Sequence, residues 1–173
     1  VPTVFTKNRD RLLDAEVAAK FMAAVLAHRE VKPLLSNDHF SVDGTLVEAW
    51  ASLKSFRAKD GSDEPPSPGR NGERDFHGEK RANDTHASTT DPEAKLVRKG
   101  DGKEARLSFG GHATMENRNG LCVLFAVKPA VGAPESAVAV EQMIELHNRG
   151  FTPRTVGADK GYHTREFVEG LRE

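Results

Sequence analysis

What the chain has little of sets the first limits. There is one cysteine, Cys122, which excludes an internal disulfide framework; set in the run LCVLFAV, it reads as a small buried hydrophobe rather than a reactive thiol. There is no surplus of positive charge: 25 Lys and Arg face 26 Asp and Glu, for a formal net charge of -1. No global field marks the chain for nucleic acid, so any contact with DNA has to come from a local patch. No apolar run approaches the ~18 residues that span a bilayer, and the opening VPTVFTKNRDR carries no signal-peptide pattern. A cytoplasmic protein with no membrane partner is the expectation, and the lone thiol fits a reducing compartment. The 7 histidines show neither Cys/His nor HExxH spacing, so no zinc site is expected. No internal repeat is present.

What remains is an ordinary globular composition. With 37% hydrophobic and 29% charged residues, 173 residues suffice for one domain with a real core. The positions Leu13, Val17, Phe21 and Val25, with Met22 and Leu26, recur at three and four residues and predict an amphipathic helix running to about His28. HFSVDGTLVEAW, with Phe40, Val42, Leu46 and Val47, predicts a strand that has Asp43 near its middle. From 57 to 90 the composition turns to charges and the proline-rich run PPSP, with almost nothing apolar to bury, which predicts a flexible, disordered insertion after the first strand. Its bases are balanced by acids, so a solvated loop is expected there rather than a DNA-binding arm.

Strand signals resume in AKLVRK, EARLSFGGHATMEN and LCVLFAVKPA, with turns at 100 to 102 and 117 to 120, which together read as an antiparallel meander. Pro134 and Glu135 open a second helix expected to turn Ala137, Val140, Ile144 and either Met143 or His147 towards the core, with Gly150 as its stop. A short strand through Val156 leads to Asp159, and Thr164 is the expected N-cap of a last helix, REFVEG. Elements in this order predict a mixed α/β fold.

Two acids stand out. Asp43 and Asp159 each lie in an apolar strand context beside small residues, Gly44 and Thr45 in one case and Ala158 and Gly161 in the other. A charge in such a place costs burial energy unless something compensates it. The strand ends of an α/β sheet gather groups distant in sequence into one crevice. Two converging carboxylates repel, and a divalent cation relieves that repulsion; Mg2+ takes one or two carboxylates together with phosphate oxygens and water, which points to phosphoryl transfer. An Asp beside a Gly also serves as an ordinary turn or capping residue, so the pair by itself decides nothing.

The segments FSVDGTLVEAWASLKSF, NDTHASTTDPEAKLVRKGDGKEARLSFGGHATMENRNGL and VGADKGYHTREFV resemble the catalytic region of bacterial insertion-sequence transposases of the insertion-sequence-five type, in the DDE superfamily. The likeness covers nearly the whole chain, with several long segments in the same order. It implies a ribonuclease-H-like mixed sheet with flanking helices, residues 1–38 forming the end of an N-terminal helical region and 39–173 a partial catalytic domain. The family's first and second catalytic aspartates then fall on Asp43 of VDGT and Asp159 of ADKGY. The implied activity is Mg2+- or Mn2+-dependent DNA cleavage and strand transfer. Transposon ends and target DNA are the implied partners, and the full-length form is expected to be a homodimer. The family's third carboxylate, a Glu within a motif of Tyr, Arg, Glu and Lys, is expected well after ADKGY; Glu166, Glu169 and Glu173 stand too close to Asp159 to replace it. His163 stands where an Asp is expected in relatives. The first residue is Val, and TREFVEGLRE stops within a helix, so both ends read as cut and the fragment is expected to be inactive alone.

Other readings are open at this point. A strand leading into DGT is also found in haloacid-dehalogenase-type phosphatases, but their nucleophilic Asp belongs two residues earlier, where this chain has Ser41, and without it that chemistry fails. A catalytically inactive remnant that binds DNA or a partner has no need to keep Asp43 and Asp159 close. Lys160 and Arg165 flank Asp159 as candidate DNA phosphate contacts, against the plainer reading of solvated bases. His86 and His112 are weighed as neighbours of a metal, and Trp50 is expected in the core rather than as a base-stacking platform.

Overall fold

The computed structural model describes residues 16–62, 81–132 and 134–172. Its centre is a mixed sheet. Strand β1 (His39–Glu48) runs antiparallel to the long β5 (Ala105–Glu116), with Asp43 opposite Ala113 and Gly44 opposite His112. On its other side β1 pairs in parallel with the three-residue β7 (Thr155–Gly157). The far edge of β5 is shared: β4 (Lys95–Arg98) pairs with its first residues and β6 (Leu121–Pro129) with the remainder, both antiparallel. The expected antiparallel strand pairs form, but β4 and β6 share one edge of β5 instead of flanking it as in a meander, because β1 takes the other edge; the fold is α/β with parallel and antiparallel strands in one sheet.

Alternation along β1 divides the sheet into two faces, as period-two side-chain geometry requires. Phe40 and Val42 turn inward and are buried, while Asp43, Thr45 and Val47 turn outward and are exposed. Helix α2 (Glu135–Asn148) covers the inward face and buries Val138, Ala139, Met143 and Leu146. These join Phe40, Val42, Val123, Leu124, Tyr162 and Phe167 in the main core. The pairing of β5 with β6 shifts between Thr114 and Met115, so Val123 drops out of the ladder and both Val123 and its neighbour Leu124 reach the core.

The helical face of α2 differs from the expected one. Ala137, Ile144 and His147 are exposed, and the buried stripe includes the polar Ser136 and Gln142. Gln142 is buried because its side-chain amide donates to the His112 carbonyl at 3.0 Å, a bond that satisfies a polar group in the interior. Two polar residues on the buried side blur the apolar period, which turned the expected stripe by part of a turn. Gly150 does end this region, with the positive φ of 86° that a helix stop calls for.

Helix α1 (Val17–Ala27) lies within the predicted 13–28 span, of which residues 13–15 fall outside the described part. None of its residues is buried, Phe21 among the exposed, and only Leu26 packs against the main core. Trp50 is fully exposed just beyond β1, not in the core. The apolar neighbours that surround it in sequence, Ala49 and Ala51, pack instead on a second, smaller core of Phe56, Ala94 and Leu107.

That smaller core corrects the reading of 57–90 as one flexible insertion. At its two ends, β2 (Phe56–Ala58) and β3 (His86–Ser88) pair antiparallel, and His86 stacks on Phe56 with ring centroids 5.6 Å apart. Polar side chains supply what apolar ones do not. The Asn83 amide donates to the Leu96 carbonyl at 3.0 Å and accepts from the Leu96 N–H at 2.8 Å, as a strand neighbour would. Ser88 accepts from the N–H groups of Thr90 and Asp91. Local side-chain to backbone bonds of this kind order a segment that hydropathy alone reads as loop. Residues 63–80 of that stretch lie outside the described part. Within the described residues no helix is long and apolar enough to cross a membrane.

Candidate functional site

The parallel pairing of β1 with β7 places the two singled-out acids. Ser41 is opposite Gly157, where the pairing ends, so Asp43 and Asp159 each follow the last paired residues by two positions. β7 is held in that register by backbone bonds from Arg154 to the Asn37 carbonyl at 2.9 Å and from Thr155 to the Asp38 carbonyl at 3.1 Å. Asp43 sits in mid-strand, Asp159 just past the carboxyl end of β7, and both are exposed. Their exposure corrects the expectation of a burial cost: both charges keep their solvent.

Asp159 is also a capping residue. Its Oδ1 accepts from the Gly161 N–H at 2.7 Å, and it opens the single 3-10 turn of Lys160–Tyr162. That turn delivers Tyr162 into the main core, where its ring packs edge-on to Phe167 with centroids 5.7 Å apart. Thr164 then caps helix α3 (Arg165–Gly170), its hydroxyl accepting from the Phe167 N–H at 3.2 Å, as expected.

The Tyr162 hydroxyl senses both aspartates. Its ionisation is pushed well above the ordinary tyrosine range, first by burial and then by the negative charges of Glu135, Asp43 and Asp159, with a hydrogen bond to the Glu135 carboxylate adding to them. Three carboxylates therefore act on one buried hydroxyl. Glu135, the first residue of α2, lies directly over Gly44: a Cβ there would stand 2.6 Å from its Cδ and 2.7 and 2.9 Å from its two carboxylate oxygens. A side chain there would have to push the Glu135 carboxylate aside.

His112, weighed earlier as a neighbour of a metal, is opposite Gly44 and buried. Burial pushes its ionisation down, with the Glu135 carboxylate opposing that and the Lys128 ammonium reinforcing it. His86 belongs to the small core, stacked on Phe56, with Nδ1 2.8 Å from the Thr85 hydroxyl. Lys160 is exposed directly beside Asp159. Arg165 is exposed too, but its Nε already donates to Glu169 at 2.8 Å one turn along α3; such an exposed pair is weak and readily exchanged for another anion. Cys122 is half-buried, its thiol donating to the Leu124 carbonyl at 3.3 Å, and burial pushes its ionisation up, away from reactivity.

Glu135 and Tyr162 are the residues the sequence reading passed over. Glu135 was read only as a helix opener, and Tyr162 only as part of the segment ADKGY. Among the described residues no group of three or more His, Cys, Asp or Glu gathers into a metal cage. Two exposed hard-oxygen donors are nevertheless the set Mg2+ accepts, since it completes its shell with water and substrate phosphates. No family model matches the chain, and no curated protein or solved structure matches it.

Proposed function

We propose that the chain carries part of the catalytic region of a transposase of the insertion-sequence-five type, in which Asp43 and Asp159 hold Mg2+ or Mn2+ for cleavage and strand transfer of DNA. The observation that carries this reading is the β1–β7 pairing, whose last residues, Ser41 and Gly157, each lie two positions before an exposed aspartate, Asp43 and Asp159. The sheet order lends further support: β6, β5, β1 and β7 follow one another, with the first three antiparallel and β7 parallel to β1. That is the arrangement a ribonuclease-H-like domain of this family is expected to have.

Such an ion, when bound, polarises a phosphate and lowers the cost of forming the attacking oxygen nucleophile. The chain's own part is positioning. Asp43 is fixed by the pairing of β1 with β5, opposite Ala113, and Asp159 by its bond to Gly161 and by the 3-10 turn behind it. In this reading Lys160, exposed beside Asp159, would meet a DNA phosphate, and Arg165 would follow by exchanging Glu169 for that phosphate.

Calorimetric titration with Mn2+ tests the reading. Saturable binding by the parent, lost in both Asp43→Asn and Asp159→Asn, supports it; a parent that binds no Mn2+, or variants that bind as the parent does, overturns it.

A further inference from the structure

Tyr162 spends a hydroxyl where a phenylalanine would fill the same space. At 2% exposure its ring is core, packed with Phe40, Val42 and Phe167, and a buried hydroxyl costs free energy unless it is bonded. Of the acids that act on it, Glu135 is foremost, at the start of a helix that packs on the Lys160–Tyr162 turn. A Glu in the first turn of a helix is favoured by the helix dipole in any case. The dipole does not explain why this carboxylate lies on the backbone of Gly44, where any other residue would collide with it. Nor does it explain why α2 packs against the Lys160–Tyr162 turn as well as against the sheet.

Taken together these contacts form a continuous path between the two aspartates. Asp43 is bonded to Gly44; the Glu135 carboxylate rests on Gly44 and meets the Tyr162 hydroxyl; the Tyr162 N–H donates to the Asp159 carbonyl at 3.2 Å; and Asp159 caps the turn through Gly161. We propose that Glu135 and Tyr162 are positioning residues that brace the Asp159 turn against β1 at Gly44 and so set the separation of the two aspartates. The inference rests on the metal-binding reading for its consequence, although the brace itself is a property of the fold. Residues that orient ligands from behind change metal affinity by about 10-fold or more when removed, while touching no metal themselves.

Two readouts test it on the same proteins. Amide hydrogen exchange of residues 157–163 reports the brace without any metal, and Mn2+ titration reports its consequence. Tyr162→Phe and Glu135→Gln are each expected to speed exchange in that segment while Val123 and Leu146 in the core keep their protection. Both variants should also weaken Mn2+ binding about tenfold. Gly44→Ala, which pushes the Glu135 carboxylate aside, should act as Glu135→Gln does, and Glu135→Asp should recover little because it is too short to reach. Exchange and Mn2+ affinity unchanged in Tyr162→Phe and Glu135→Gln, with binding still lost in Asp43→Asn, would overturn the brace and leave the metal site standing. A parent that binds no Mn2+ removes the metal reading, and the exchange rates alone then decide: faster exchange in the turn supports the brace, and unchanged exchange overturns it.

Discussion

Leu124 and Phe125 are neighbours on β6, yet Leu124 is buried in the main core while Phe125 is 51% exposed on the other side of the sheet. The same contrast runs across the strands: Phe40 and Val42 of β1 are buried under α2, whereas Val47 of β1 and Val127 of β6 stand exposed on the outer side, Val127 at 55%. Both faces carry apolar and β-branched residues. What separates them is cover, because α2 lies over one face only. The outer face is also the one on which Asp43 stands. A sheet in which one face supplies stability and the other is left open gives a polar site room without cutting into the core.

The sharpest break in that comparison comes from its covered side. Phe40→Ala removes a side chain packed edge-on to Phe151 at 6.0 Å and buried among the main core, and is expected to cost about 3–5 kcal/mol, read from the urea midpoint. A cost under about 1 kcal/mol would mean that the core relaxes around the gap and that α2 is not the cover described here.

A smaller effect is expected at Glu116, a polar member of the same face. Its carboxylate is buried, and it accepts from the Ser36 hydroxyl and from the N–H groups of Arg118 at 3.1 Å and Asn119 at 3.0 Å, which closes the β5–β6 turn. Burial acts to raise its ionisation, but the bonds from Ser36, Asn119 and Arg118 outweigh it and hold the carboxyl below its ordinary value near 4.5. A carboxyl so lowered contributes stability that is complete above the unfolded value and is lost as pH falls through the folded one. Glu116→Gln, which leaves one or more of those donors poorly met, is expected to cost about 1–3 kcal/mol at neutral pH. It should also flatten the parent's loss of stability in the carboxylate range; equal acid sensitivity in parent and variant would assign that loss to other groups.

The outer face should respond least. Phe125→Ser and Val127→Thr are expected to shift stability by no more than about 0.5 kcal/mol, as exposed positions generally do. A loss of several kcal/mol in either would show that the face is covered in solution, and the two-faced description would then need a partner for it.

The strands were legible because their burial follows period two: Phe40, Val42 and the runs of the antiparallel strands carry that pattern in the residues themselves. Asp43 and Asp159 were legible as acids in strand settings, and the β1–β7 register bears on their proximity rather than on their chemistry. The stripe on α2 was misread because Ser136 and Gln142 sit on its buried side, where hydropathy counts them as surface. The small β2–β3 unit was missed for a related reason. Its order comes from Asn83, Ser88 and a stacked histidine, and polar bonds to backbone leave no periodic trace. Glu135 escaped notice because its role depends on Gly44, far away in the chain, lacking a side chain.

One edge of the sheet carries a further consequence. β7 is three residues long and, among the described residues, pairs only on its β1 side. A row of free N–H and C=O groups is an invitation to another chain, and proteins blunt it by keeping such strands short and placing charges at their ends. Here Arg154 stands before β7 and Asp159 after it. The strand that leads to Asp159 thus offers little hold for edge-to-edge growth, so this end of the sheet resists amyloid-like assembly by the same brevity that opens it to solvent.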